Sequence, residues 1–121
     1  MARRILAVDD QEDNRRILRD LLTAAGYDVI ESVTGGDAVA QAETQRPDLI
    51  LMDIQLPDID GYEATRRIKA NAALRAIPVI IVTSYALSGD EEKAFAAGAD
   101  AYVSKPFSPR ALLAKVREFL G

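Results

Sequence analysis

The 121-residue chain contains no cysteine and no histidine. The first absence removes disulfides and thiolate nucleophiles, the second removes imidazole bases, and together they exclude Cys/His zinc sites and every triad built on an imidazole. Positive charge is also short: 15 Lys and Arg stand against 19 Asp and Glu, a net charge of -4 with a pI near 4.8. That balance argues against an electrostatic footprint for nucleic acid or for an anionic membrane surface. No apolar run approaches the roughly 20 residues of a membrane span, and Met1 to Arg4 lead into a strand rather than a signal peptide. A cytoplasmic protein without membrane or direct nucleic-acid contact is expected, and its chemistry must come from carboxylates, hydroxyls and lysines.

Apolar residues make up 49% of the chain and charged residues 28%, both spread throughout, which fits one domain spanning residues 1–121 with a real core. The central stretch is Leu49-Ile50-Leu51-Met52, four apolar residues that end on Asp53. A short unbroken run of this kind is a strand covered on both faces, as at the centre of a parallel sheet. Its last side chain emerges into the crevice above the sheet, where open α/β folds place their ligands.

Arg4 to Val8 is a second such run and ends on Asp9 and Asp10. The polar cluster Asp9 to Asn14 can cap a helix carrying Ile17, Leu18, Leu21, Leu22 and Ala25 on its inner side, stopped by Gly26. Asp28 to Val33 is a second strand and Gly36 to Gln45 a second helix, ended before Pro47. After Asp53, Leu56-Pro57 and Asp60-Gly61 are turn signals in a loop over the site, and Tyr62 to Ala70 is a third helix. Leu74 and Ile77 pack a connection to Pro78, followed by a strand over Val79 to Val82 with Thr83 at its end. Ser88 and Glu91 have capping-box spacing for a fourth helix stopped by Gly98. Ala101 to Val103 is the fifth strand, with Lys105 two residues beyond. Ser108 and Pro109 open a fifth helix whose inner stripe is Leu112, Leu113, Val116, Phe119 and Leu120.

Five strands alternating with five helices require parallel pairing and right-handed crossovers, which gives an α/β doubly wound sheet. All carboxyl ends then share one edge, so Asp9, Asp10, Asp53, Thr83 and Lys105 converge on a crevice at the switch point between strands one and three. Each residue alone has an ordinary explanation: Asp9 and Asp10 as helix-capping charge, Asp53 as a strand terminator, Lys105 as a solvated strand end, Thr83 as a strand former. Together they point elsewhere. Three carboxylates on adjacent strand ends repel and raise one another's pKa unless a cation neutralises them, and hard oxygens of this type suit Mg2+. A phosphoryl group on Asp53 would find its charge met by the metal, the Lys105 ammonium and the Thr83 hydroxyl.

The joined pattern Val8-Asp9-Asp10, Leu51-Met52-Asp53 with Leu56-Pro57 and Asp60-Gly61, Val82-Thr83-Ser84, and Tyr102-Val103-Ser104-Lys105-Pro106 resembles the receiver domain of two-component response regulators, of the stand-alone chemotaxis or cell-cycle type, from Arg3 to Leu120. The resemblance implies a flavodoxin-like strand order 2-1-3-4-5, Asp53 as phospho-acceptor, and Mg2+ held by Asp9, Asp10, Asp53 and the backbone carbonyl of Gln55. It further implies that Lys105 and Thr83 contact the phosphoryl group, that Thr83 and Tyr102 form the switch, and that the Lys105-Pro106 bond is cis. Gln55 and Tyr85 stand where the family tunes dephosphorylation. The partners implied are a histidine kinase or histidine phosphotransfer protein, which must bring the histidine this chain lacks, and a downstream target protein. Ser84 stands where the family usually has alanine or glycine, and Ala101 and Ala111 replace acids that winged-helix members use to dimerise.

Two other chemistries share this architecture. A phosphatase of the haloacid-dehalogenase type needs two aspartates separated by one residue, whereas Asp9 and Asp10 are adjacent and Asp53 is followed by Ile54 and Gln55. A nucleotide or flavin binder needs a glycine- or hydroxyl-rich phosphate loop where this chain has Asp9 to Asp13. A receiver without chemistry, acting only in docking, is opposed by the intact acidic set.

Overall fold

The apolar runs build one parallel sheet in the computed structural model, which describes residues 2–84 and 90–120. The strands are β1 (Arg4–Val8), β2 (Asp28–Ser32), β3 (Leu49–Met52), β4 (Val79–Thr83) and β5 (Ala101–Ser104), in the order β2-β1-β3-β4-β5. The helices are α1 (Glu12–Ala24), α2 (Gly35–Gln45), α3 (Gly61–Ala70), α4 (Asp90–Ala96) and α5 (Pro109–Leu120). Alternation along each strand sends side chains to opposite faces. Leu6, Ile50, Met52, Val79 and Ile81 pack with α2, α3 and α4, while Ile5, Ala7, Leu49, Leu51, Ile80 and Val82 pack with α1 and α5. A strand with apolar neighbours on both sides cannot show polar alternation, which is why β1, β3 and β4 appear in the sequence as unbroken runs.

Several local expectations are corrected by the packing. Ile17 is 54% exposed, because Leu18 and Leu22, one turn apart, take the inner position on α1 and leave Ile17 rotated to its edge. Val33 lies beyond the end of β2 and is exposed. The α1 cap residue is Gln11, whose side chain caps nothing; the Asp9 carboxylate instead accepts the Gln11 N–H at 2.9 Å, closing the turn one step earlier. Thr34 caps α2 by accepting the Asp37 N–H, and Ser108 caps α5 by accepting the Ala111 N–H at 3.3 Å. Ser88 lies outside the described residues, while Gly98, at φ 104, follows the end of α4.

Asp60-Gly61 is a helix start rather than a turn: Asp60 accepts the Glu63 N–H at 2.8 Å and Gly61 is the first residue of α3. Gly61 donates to the Ile54 carbonyl at 2.8 Å, so α3 begins pressed against the end of β3. A Cβ on Gly61 would run into the backbone carbonyl of Asp53. The loop between them is held from the other side by Asp58, which sits at φ 69 and accepts the Gly36 N–H at 3.1 and 3.2 Å. Asp tolerates this left-handed conformation because its short side chain bonds nearby backbone.

Gly61→Ala is expected to destabilise by about 1–3 kcal/mol in urea unfolding and to move the amide signals of Asp53 and Ile54. Gly26, at φ 96 with open space around its Cα, is the comparison. Gly26→Ala carries backbone strain of about 1–2 kcal/mol but leaves those signals in place. Unmoved Asp53 and Ile54 signals in Gly61→Ala would contradict the close approach.

Candidate functional site

Each strand ladder continues for one residue past the strand and thereby fixes a side chain at the carboxyl edge. The Asp53 N–H donates to the Val8 carbonyl at 3.0 Å, and the Asp9 N–H to the Ser32 carbonyl at 3.1 Å. On the other side the Lys105 N–H donates to the Thr83 carbonyl at 2.7 Å. The parallel register pairs Val8 with Met52 and Thr83 with Ser104, so the residues that follow stand side by side. Asp9, Asp10, Asp53 and Lys105 therefore share one crevice, and Thr83 ends β4 at the same edge of the sheet.

Asp9 is 1% exposed and accepts from three donors: the Gln11 N–H at 2.9 Å, the Asn14 amide at 3.4 Å and the Lys105 ammonium at 2.9 Å. The same ammonium lies 3.8 Å from Asp53 Oδ2, an ion pair without a hydrogen bond. Asp53 Oδ1 accepts the Ile54 N–H at 2.7 Å. Oxygens of Asp9, Asp10 and Asp53, one from each, lie within 4.8 Å of one another. One ammonium faces three carboxylates, and the hard-oxygen set left under-neutralised fits a divalent cation such as Mg2+, which binds through one or two carboxylates and keeps its waters.

Burial is the largest influence on Asp53 and pushes its carboxyl up to about 6 from an ordinary 3.8; the Lys105 ammonium pulls it back, and the Asp9 charge raises it again. Repulsion between the carboxylates operates as expected from their adjacency, but it is secondary to desolvation. Thr83 is buried at the end of β4, and Ser84 is exposed beside it. Tyr102 is half-buried and packs against the core on the side of α2, α3 and α4. Gln55 is exposed and lines an open cavity of about 490 Å3 with Asp10, Leu56 and Pro57, through which the acidic cluster meets solvent. The Lys105-Pro106 bond is cis. Tyr85 lies outside the described residues.

Two residues at the site had no place there in the sequence argument, which used Asn14 only as the end of the helix-capping cluster and Arg15 not at all. Asn14 and Arg15 reach back from α1 to Asp9, the first to its carboxylate and the second to its carbonyl at 2.8 Å. Their signal is only that positions five and six beyond a strand-end acid fall on the first turns of the following helix, within reach of it.

The family model for the response regulator receiver domain matches residues 5–117. The polar-differentiation response regulator DivK of Brucella anthropi is 44% identical over 121 residues, covering 100% of this chain and 98% of the relative. A sensor histidine kinase receiver domain from Pseudomonas aeruginosa, solved with a magnesium ion coordinated in its active site cleft, is 40% identical with a TM-score of 0.93, covering 100% and 99%. A CheY-like response regulator receiver domain protein from Methanospirillum hungatei is 37% identical with a TM-score of 0.89, covering 98% and 93%.

Without metal, Asp53 holds its proton more tightly in the fold than in the unfolded chain. Its contribution to stability is then fully present below about pH 4 and lost as pH rises through about 6. Asp53→Asn keeps an acceptor for the Ile54 N–H and removes the charge. In EDTA the variant should exceed wild type in stability at pH 7 by about 1–3 kcal/mol, and urea titrations should show this difference vanishing near pH 4. A constant difference across that range would refute the assignment.

Proposed function

This chain belongs to the response regulator receiver domain family, and on that footing we propose that it is a phospho-accepting switch in which Asp53 takes a phosphoryl group from a partner histidine kinase or histidine phosphotransfer protein. The observation that carries the reading is the Lys105 ammonium set between buried Asp9 and Asp53 beside Asp10. It is a cation next to an under-neutralised acidic cluster, of which Asp10 lines an open cavity. The phosphohistidine comes from the partner, since this chain has no histidine.

An Asp53 oxygen attacks the phosphorus, the phosphorus–nitrogen bond of the donor breaks, and the imidazole leaves with the electron pair and takes up a proton. Asp53 is the stronger nucleophile for its raised pKa and is still ionised at neutral pH. Asp9, Asp10, Asp53 and the Gln55 carbonyl would hold Mg2+, which when bound offsets the charge of the incoming phosphoryl oxygens. Lys105, already 3.8 Å from Asp53, turns its ammonium to a phosphoryl oxygen. Hydrolysis reverses the loading: water attacks the phosphorus and the Asp53 carboxylate leaves. Gln55, exposed at the cavity mouth, and Tyr85 set the access of that water.

Thr83 donates its hydroxyl to the phosphoryl group and Tyr102 turns further inward, so that the surface of α4, β5 and α5 changes for a downstream target protein. Moving such an equilibrium from 1:99 to 99:1 takes about 5.5 kcal/mol of differential interaction, within reach of several charge-assisted contacts. No helix among the described residues is long and apolar enough to cross a membrane. We place the switch in the cytoplasm, as one receiver domain acting through protein partners rather than nucleic acid.

Incubation with acetyl phosphate should add one phosphoryl group to Asp53 only when Mg2+ is present, and none to Asp53→Asn, as read by mass spectrometry with site mapping. The loaded protein should show shifted amide signals at Thr83 and Tyr102, and Gln55→Ala should load fully but decay at a changed rate once the donor is removed. An acyl phosphate mapped to another aspartate would sink the reading.

A further inference from the structure

Arg15 is 12% exposed through its side chain and spends its guanidinium on three partners. Nη1 donates to the Asp9 carbonyl at 2.8 Å, Nε to Glu31 on β2 at 3.2 Å, and Nη2 to Glu12 in the first turn of α1 at 2.5 Å. Glu31 is itself gripped by Arg19 at 2.9 and 3.1 Å, which fixes the carboxylate that orients Arg15. Surface ion pairs contribute little, but here a planar fork is sealed between a helix and a strand, and one prong holds backbone at the site.

The carbonyl that Arg15 holds belongs to the peptide joining Asp9 to Asp10. Asp9 is fixed independently by its buried carboxylate and by its N–H on Ser32. Asp10 is not: its carboxylate has no protein donor among the described residues, so its position follows from its backbone. The tilt of the Asp9–Asp10 peptide sets the direction in which the Asp10 side chain leaves.

Resting on the proposed function, we infer that Arg15 is a positioning residue for the cation site: it locks the Asp9–Asp10 peptide and so aims the Asp10 carboxylate at the crevice. This role has a sign opposite to that of its charge. As a nearby cation Arg15 disfavours a bound cation by Coulomb repulsion, so its neutralisation would tighten Mg2+ binding if charge were all that mattered. Loss of the lock would weaken binding, as removal of groups that orient metal ligands does by about 10- to 100-fold.

The test titrates Mg2+ alone into Arg15→Met, Arg15→Lys, Arg19→Gln and wild type by isothermal titration calorimetry, with thermal unfolding in EDTA alongside. Arg15→Met should raise the Mg2+ Kd about tenfold. Arg15→Lys, which keeps the charge but not the fork, should raise it as well, by less. Arg19→Gln loosens Glu31 but leaves the Arg15 bond to the Asp9 carbonyl in place, and should raise it by less than Arg15→Met. A Kd unchanged or lowered in Arg15→Met overturns the inference, as does a fall in unfolding temperature with no change in Kd. If Arg15→Met does not fold, an unchanged Kd in Arg15→Lys overturns it. A wild type that binds no Mg2+ removes both this inference and the function beneath it; wild type loaded on Asp53 with Arg15 variants of unchanged Kd removes this inference alone.

Discussion

The ion pair between Lys105 and Asp9 joins residues 96 positions apart across the carboxyl edge of the sheet, and the electrostatics of the candidate site depend on it. Asp9 is buried and Lys105 nearly so, so removal of Lys105 would leave the Asp9 carboxylate uncompensated, typically at a cost of about 3–5 kcal/mol. The pair spans the top of β3 and β4 and thereby sets the electrostatic surroundings of Asp53. It also leaves the site short of positive charge, with one ammonium for three carboxylates. That shortage adds to the burial that raises the Asp53 pKa and disfavours the fold at neutral pH, and it leaves hard oxygens that a cation would neutralise. Stability and function pull in opposite directions on the same atoms.

The sheet was legible because burial on two faces writes itself into sequence as an unbroken apolar run. Ile5 to Val8, Leu49 to Met52 and Val79 to Val82 admitted no helical period and no polar alternation, and the carboxyl-edge residues followed from parallel pairing. Element ends were less legible. Val33 continues the β-branched composition of β2 yet lies past the last ladder pair, Val8 with Ser32. Asp60-Gly61 has the composition of a turn and also of a helix start, and only the proximity of Asp53 shows why glycine is required there. Ile17 fits an apolar stripe on α1, but that helix meets the sheet along a seam only wide enough for Leu18 and Leu22, with Leu21 partly covered.

The polar architecture behind the site was not legible, because its partners are far apart in sequence and unremarkable in type. Arg15, Glu31 and Arg19 look like solvated charges on α1 and β2; only the register that lays β2 against β1 brings them under Asp9. Asp58 likewise belongs to a loop, and its bond to Gly36 exists only because α2 starts beside that loop. The acids of the candidate site could be inferred from strand ends, whereas the groups that hold them needed three dimensions.

The same packing bears on where a change at Asp53 can go. β3 and β4 are covered on both faces, so they cannot shift without opening the core. The loop after β3 is held by the Asp58–Gly36 bond and by Gly61 on Ile54, which closes that side. The other side is bound less tightly. Within α4, 7 residues long, Ala94 is the buried side chain among those described, whereas α5 buries Leu112, Val116 and Leu120. At about 0.8 kcal/mol per buried methylene, a lone methyl anchors α4 by several kcal/mol less than the branched side chains anchor α5. Elements of low local stability are the ones that move. On the proposed function, a displacement arising at Asp53 would be absorbed most cheaply in α4, whose exposed Phe95 would carry it to a partner.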